Sequence, residues 1–215
     1  MKNWNWLTAA GLVLTVSACG SASTDAPSST PDTSSKPSSS APATSTPPAT
    51  TDWQRTDGVV TKISDGDTVH VTSAGRGDET VRALGADTPE THDPRRPGVQ
   101  CGGLAATQFA KDTLLGQAVH LVSDPTQGAL DVKTGRYVDK FHRTLAYIEL
   151  VNRNEKTGAA ADSDYSTLVA EAGWARAYIY DPRRPPQRIA QIQAAESRAS
   201  VMRRGIWGAM CAQAQ

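Results

Sequence analysis

The chain has 215 residues, 22 lysines and arginines against 22 aspartates and glutamates, and a hydrophobic content of 38%. These values fit one globular domain accompanied by non-globular sequence, and they exclude a long multidomain chain or one folded from end to end.

The non-globular part comes first. Lys2 precedes an apolar run from Leu7 to Val16, and small residues follow before a cysteine at position 19. Residues 1–18 therefore read as a signal peptide, too short to span a membrane and stay there. Cys19, directly after Ser17-Ala18, resembles a bacterial lipobox, whose cysteine is lipidated and becomes the mature N-terminus. Ordinary secretory cleavage is the alternative. Residues 19–51 form the lipidated cysteine and a tether composed almost wholly of Ser, Thr, Pro and Ala. Such sequence has too little apolar surface to offset the entropy of ordering. Its prolines predict an extended chain with a reach on the order of 90 Å. The protein is thus expected to be exported, and either held at the outer face of the cell membrane through a lipid anchor alone or secreted.

Residues 52–215 are long enough for one well-buried core. Gly58 to Ile63, Asp67 to Ala74 and Glu79 to Ala86 alternate with period two and read as a three-strand meander. A helix follows, with Ala106, Phe109, Ala110, Thr113 and Leu114 on one stripe and Gly116 at its end. Ala118 to Ser123 and Arg143 to Leu150 make five strands. A second helix runs from about Ser166 to Gly173, before an extended stretch from Trp174 to Tyr180. A third begins after Pro185-Pro186 and runs to about Arg203, with Ile189, Ile192, Ala199 and Met202 on its apolar side. The fold class is α+β: a five-stranded OB-type β-barrel with three helices. The pentapeptide Asp-Pro-Arg-Arg-Pro occurs at residues 93–97 and 181–185, and both copies read as loops, as do the longer connections 125–137 and 151–164.

Within the meander, Asp65-Gly66-Asp67 places two acids in an otherwise alternating strand pattern. A hairpin corner is one explanation; a site for a cation or for phosphate chemistry is the other. Asp87, Thr88 and Glu90 follow the third strand at once. If that strand lies beside the second, Asp67 and Asp87 are neighbours, and two carboxylates with a backbone carbonyl suit Ca²⁺. Zinc does not fit, because the histidines at 70, 92, 120 and 142 lack ligand spacing and a cysteine partner. An EF-hand fails as well, for want of the loop's later oxygen ligands. Seven arginines from Arg176 to Arg204 form a basic stretch that either attracts a polyanion or is a solvated helix face.

Asp-Gly-Asp-Thr, an arginine five residues before Asp-Thr-Pro-Glu, and Asp-Lys-Phe-His-Arg-Thr-Leu-Ala-Tyr occur here in that order. In order, spacing and strand context they resemble the staphylococcal nuclease (thermonuclease) family, over about Gly58 to Trp207. The resemblance implies an endonuclease that cleaves DNA and RNA at the 5′ oxygen, leaves 3′-phosphate ends and uses Ca²⁺. It puts the metal at Asp67, Asp87 and the Thr88 carbonyl, with Asp65 behind them. The catalytic glutamate falls on Glu90 and the phosphate-binding arginines on Arg82 and Arg143. Substrate positions fall on Lys140, Tyr178 and Tyr180, where stacking of a base and packing in the core are both open readings. The sequence departs from the family where Phe141 replaces a tyrosine and His142 a glycine. A monomer acting on single strands is expected; the rival is a non-catalytic nucleic-acid-binding module of the same barrel.

Three cysteines in an exported chain ask for an explanation. Lipidation of Cys19 would leave Cys101 and Cys211 as a pair in an oxidising compartment, the alternative being two unpaired thiols.

Overall fold

A computed structural model describes residues 55–73, 75–92 and 98–212. The expected signal peptide, Cys19, the tether and the first Asp-Pro-Arg-Arg-Pro copy lie outside the described residues. In chain order the elements are β1 (Arg55–Asp65), β2 (Thr68–Ser73), β3 (Gly77–Ala83), β4 (Ala86–Asp87), α1 (Gly103–Leu114), β5 (Ala118–Ser123), β6 (Ala129–Asp131), β7 (Arg136–Val138), β8 (Thr144–Leu150), α2 (Tyr165–Glu171), β9 (Arg176–Ala177), α3 (Ile189–Val201) and a 3-10 turn (Gly205–Trp207).

Strands β1, β2 and β3 form the antiparallel meander. β3 then pairs in parallel with β8, β8 runs antiparallel to β5, and β5 returns to β1, so five strands close on one another. This is the OB-type barrel with its three helices. Two register shifts in β1, between Val60 and Lys62 and between Ile63 and Asp65, give that long strand the bend that closure demands. Every second residue points inward: Val60, Val69, Val71, Val81, Val119, Leu121, Ile148 and Leu150 are buried together, with Tyr165 from α2. Each such side chain contributes about 1.5–3 kcal/mol by leaving water. A second cluster, with Leu84, Tyr147, Ile192 and Ala195, seats α3 against the barrel. Asp164 caps α2, its Oδ2 accepting from the Thr167 amide at 3.0 Å.

The chain differs from the sequence reading in four places. The connection 125–137 is not all loop, because β6 and β7 form a hairpin extending the sheet beyond β8. Strands of three residues are too short to show a period. The hairpin is anchored by Arg136, which is 2% exposed and donates to Glu79 Oε1 at 2.6 Å and to Thr56 Oγ1 at 2.9 Å. Glu79 also accepts from Ser73 and Thr144, so the carboxylate is fully engaged, while Arg136 Nε is buried without a hydrogen-bond partner. The extended stretch after Trp174 is strand only at β9, which pairs with β4. Met202 does not belong to the apolar side of α3; it is 61% exposed, because the helix ends at Val201 and the chain turns away. The arginine-rich stretch draws acids from elsewhere: Arg188 pairs with Glu149, and Arg198 and Arg204 both pair with Glu171.

Candidate active site

Asp65 closes β1 opposite Thr68, which opens β2, so Gly66 and Asp67 make the corner between them. The acidic stretch is a hairpin turn and an acid carrier at once. Glycine is needed at 66 because a Cβ there would stand 2.7 Å from Thr88 Oγ1. From below, the hydroxyl of fully buried Tyr165 donates to the Gly66 carbonyl at 2.5 Å.

Asp67 is 2% exposed, and its oxygens are all engaged. Oδ2 accepts from the Thr88 amide at 2.8 Å and the Thr88 hydroxyl at 2.9 Å, while Oδ1 accepts from Thr68 Oγ1 at 3.1 Å. Arg82, directly across the β2–β3 ladder from Thr68, lies between the two aspartates. Its Nη1 stands 3.2 Å from Asp67 Oδ2 and its Nη2 2.8 Å from Asp87 Oδ1. Nη1 also donates to the Ala86 carbonyl at 2.6 Å. Burial raises the Asp87 carboxyl above its ordinary range; Arg82 opposes that, and the charge of Asp67 reinforces it.

Glu90 lies three residues beyond β4. Its carboxyl is pushed up to about 8, first by burial, then by a hydrogen bond with Asp65 and by the charges of Asp67 and Asp65, against the pull of Arg82. Asp65 is tied in turn to Thr107 of α1, whose hydroxyl donates to Oδ1 at 3.0 Å, and to the Thr91 amide, which donates to Oδ2 at 3.2 Å. It supports the site from behind.

Arg82 pairs with two aspartates, with Asp65 and Glu90 close behind, so acids outnumber the guanidinium, and hard oxygen donors are what a calcium ion takes. Among the described residues no group of three or more His, Cys, Asp or Glu side chains is arranged to hold a metal. A cation here would therefore be held by Asp67 and Asp87, with backbone carbonyl oxygen and water completing its shell. The donor chemistry and the charge both fit; the number of protein ligands is low.

Arg143 arrives from the other side, at the start of β8. Asp139 holds it, accepting from Arg143 Nε at 2.8 Å and from Nη2 at 2.7 Å. That leaves Nη1 facing the acids through Thr68 Oγ1 at 3.4 Å. The turn 139–143 places His142 at φ 60°, a region that favours glycine. Asp139 closes the turn by accepting from the amides of Phe141 and Arg143.

Arg82, Asp87, Glu90, Lys140, Phe141, Arg143, Tyr178 and Tyr180 all line one cleft of about 1000 Å³. Asp67 and Thr88 are buried beneath it. Tyr178 and Tyr180 are 43% and 73% exposed, so they are not core residues, and Phe141, which lines the same cleft, is 66% exposed. Lys140 and Arg143 each place a cationic group over the Phe141 ring, at 5.1 and 5.4 Å from its centroid. Of the second Asp-Pro-Arg-Arg-Pro copy, Arg184 reaches the cleft, while Asp181 pairs with both Arg183 and Arg184. Sequence reasoning missed Asp139 and Tyr165. Asp139 was visible as an acid four residues before Arg143, whereas nothing in the sequence sets Tyr165 apart from any other buried aromatic. Cys101 and Cys211 are joined by a disulfide with Cα atoms 5.7 Å apart.

The model of the family "Staphylococcal nuclease homologue" matches residues 80–209. A thermonuclease of Staphylococcus intermedius is 35% identical over 157 residues, covering 73% of this chain and 79% of the relative. A thermonuclease of Staphylococcus hyicus is 33% identical over 150 residues, covering 69% and 73%.

Proposed function

The chain belongs to the staphylococcal nuclease family, and on that premise we propose that it is a calcium-dependent endonuclease of DNA and RNA that leaves 3′-phosphate ends. The observation that carries the reading is the convergence of Arg82, Asp87, Glu90 and Arg143 on one cleft. Hydrolysis of a phosphodiester needs a water that can lose a proton, neutralised phosphoryl oxygens and an in-line leaving oxygen. The Glu90 carboxyl, pushed up to about 8, holds its proton in most molecules near neutral pH; in its ionised form it is a stronger base than an ordinary carboxylate and is the group to take that proton. Arg143 has one edge engaged by Asp139 and one directed into the site, which leaves a fork for a phosphate oxygen or the departing 5′ oxygen. Arg82 commits donors to Ala86, Asp67 and Asp87, so gripping phosphate there means exchanging the Asp87 bond. Bound Ca²⁺, held by Asp67, Asp87 and the Thr88 carbonyl, would neutralise a phosphoryl oxygen.

The exposed rings of Tyr178 and Tyr180 would stack bases without regard to sequence, which favours single strands. Residues 52–215 are the catalytic unit in this reading. Residues 1–18 direct export, and residues 19–51 tether a monomer to the outer membrane face through lipid on Cys19.

The test is cleavage of single-stranded DNA with Ca²⁺, with Mg²⁺ and with a calcium chelator. Calcium should give fragments bearing 3′-phosphate. Magnesium should support little, because it keeps its waters and demands a tight octahedron. Full activity in the chelator would overturn the mechanism, and binding without cleavage under all conditions would make the chain a binding module.

A further inference from the structure

Glu90 lies outside every strand and helix, so something else must fix its backbone. One residue does so at both ends of the peptide unit. The Glu90 amide donates to Gln100 Oε1 at 3.2 Å, and the Glu90 carbonyl accepts from the Gln100 amide at 3.0 Å. Gln100 thus ties Glu90 to the segment that leads into α1, ten positions further along the chain. It is itself fixed from two sides. Its carbonyl accepts from the Gly103 amide at 2.9 Å, at the head of α1. The next residue, Cys101, is bonded to Cys211 in the segment after the 3-10 turn. The 3-10 turn before that segment is anchored by the Ile206 amide, which donates to the Gly173 carbonyl at 2.9 Å, and Cys211 itself is buried. The packing is tight enough to transmit a shift, since a Cβ on Gly103 would stand 2.7 Å from the Glu90 carbonyl oxygen.

We infer that Gln100 is a positioning residue for Glu90, held in register by the Cys101–Cys211 disulfide; this rests on Glu90 being the base proposed above. The disulfide joins the C-terminal segment to the loop that presents the base, in addition to shortening the unfolded chain. Gln100 does not line the cleft, whereas Glu90 does. Loss of the clamp therefore acts on the chemical step and leaves substrate binding nearly alone. A displacement near 1 Å of a catalytic group can cost on the order of 10²-fold in rate, so a partial loosening is expected to cost about 10-fold.

The experiment compares the full chain with Gln100→Met, which keeps length and removes the acceptor, with Gln100→Glu, which restores it, and with the double variant Cys101→Ser, Cys211→Ser. Expected for Gln100→Met is a kcat about 10-fold lower with KM for a single-stranded oligonucleotide within about twofold. Gln100→Glu should recover most of the loss, and the double variant should fall in the same direction as Gln100→Met. Amide hydrogen exchange supplies a readout free of activity: Glu90 should exchange faster in Gln100→Met while β1, β8 and α1 keep their protection. Unchanged exchange at Glu90, unchanged kcat in Gln100→Met, or equal loss in the Met and Glu variants overturns the inference. If the double variant does not fold, the two Gln100 variants decide. If the wild-type chain cuts no nucleic acid, the functional reading falls by itself, and the exchange result still decides whether Gln100 clamps Glu90.

Discussion

At the acid end of the cleft Asp67 is buried with every oxygen engaged, Arg82 spans two aspartates, and Asp65 is braced from α1. At the other end Tyr180 is 73% exposed, Lys140 is exposed, and Arg183 and Arg184 lean on a single aspartate in their own loop. The first region sits at the ends of strands β1 to β4 and is fixed there by buried hydrogen bonds; the second rides on turns after β7 and β9. A transition state tolerates little displacement, so groups proposed to act on it need their backbones and side chains fixed, as hydrogen bonds with Gln100 fix Glu90 and with Asp139 fix Arg143. In the proposed function the rim meets a polymer of variable sequence, and rings and cations on turns give that polymer a surface that adapts. The comparison predicts that changes at the acid end appear in kcat and changes at the rim in KM.

The largest effect tests the acid end. Glu90→Gln and Arg143→Ala should each lower kcat by roughly 10² or more, the usual scale for losing a base or a charge stabiliser. Far-ultraviolet circular dichroism should be unchanged, since neither side chain belongs to the barrel core. Near-normal turnover in either variant would break the comparison at its stronger end and move the chemistry elsewhere.

The two regions were unequally legible in the sequence. The barrel strands show a period of two and α1 a stripe from Ala106 to Leu114 because each buries one face, and burial writes periodicity into a chain. Asp67 and Asp87 were legible because they sit beside the ends of neighbouring strands, whereas Arg82, Glu90 and Arg143 were legible only through the order of motifs that resembles the family. The β6–β7 hairpin was not, since its anchor is one long-range pair, Arg136 with Glu79, and a single charge pair leaves no pattern. Gln100 was hidden for the same reason: its work is done through backbone groups of a residue ten positions away, which any sequence could offer. The exposure of Tyr178 and Tyr180 depends on how β9 docks beside β4, and two paired residues on each side carry no signal.

At the rim, Tyr180→Ala should weaken binding by about 1–3 kcal/mol, the usual worth of one base stacked on a ring, with kcat retained. Steady-state kinetics on a single-stranded oligonucleotide measures it; a drop in kcat with constant KM would put the ring in the chemical step. Smaller still is the expected effect of Arg183→Gln with Arg184→Gln. Asp181 already neutralises part of their charge, so KM should rise less than about threefold and its salt dependence flatten only slightly. A rise of tenfold would mean that substrate pulls both guanidiniums off Asp181.

The smallest effect concerns stability, and it separates the regions by cost. Glu90 has a folded-state carboxyl raised from 4.5 to about 8, and Asp87 is raised as well. Between those values the folded protein binds more protons than the unfolded chain, so stability falls as pH rises. The contribution of Glu90 is complete below about 4.5 and lost as pH passes through about 8. Glu90 is partly open to solvent, so screening reduces the free energy below what the full shift implies. In a calcium chelator, urea unfolding between pH 5 and 8.5 should show this decline, and Glu90→Gln should flatten it by removing the Glu90 share, leaving that of Asp87. The rim offers a control, because Tyr180→Ala removes no carboxylate and should leave the slope as it was. A slope unchanged in Glu90→Gln would mean that holding Glu90 in the site costs the fold no more than holding Tyr180 at the rim does.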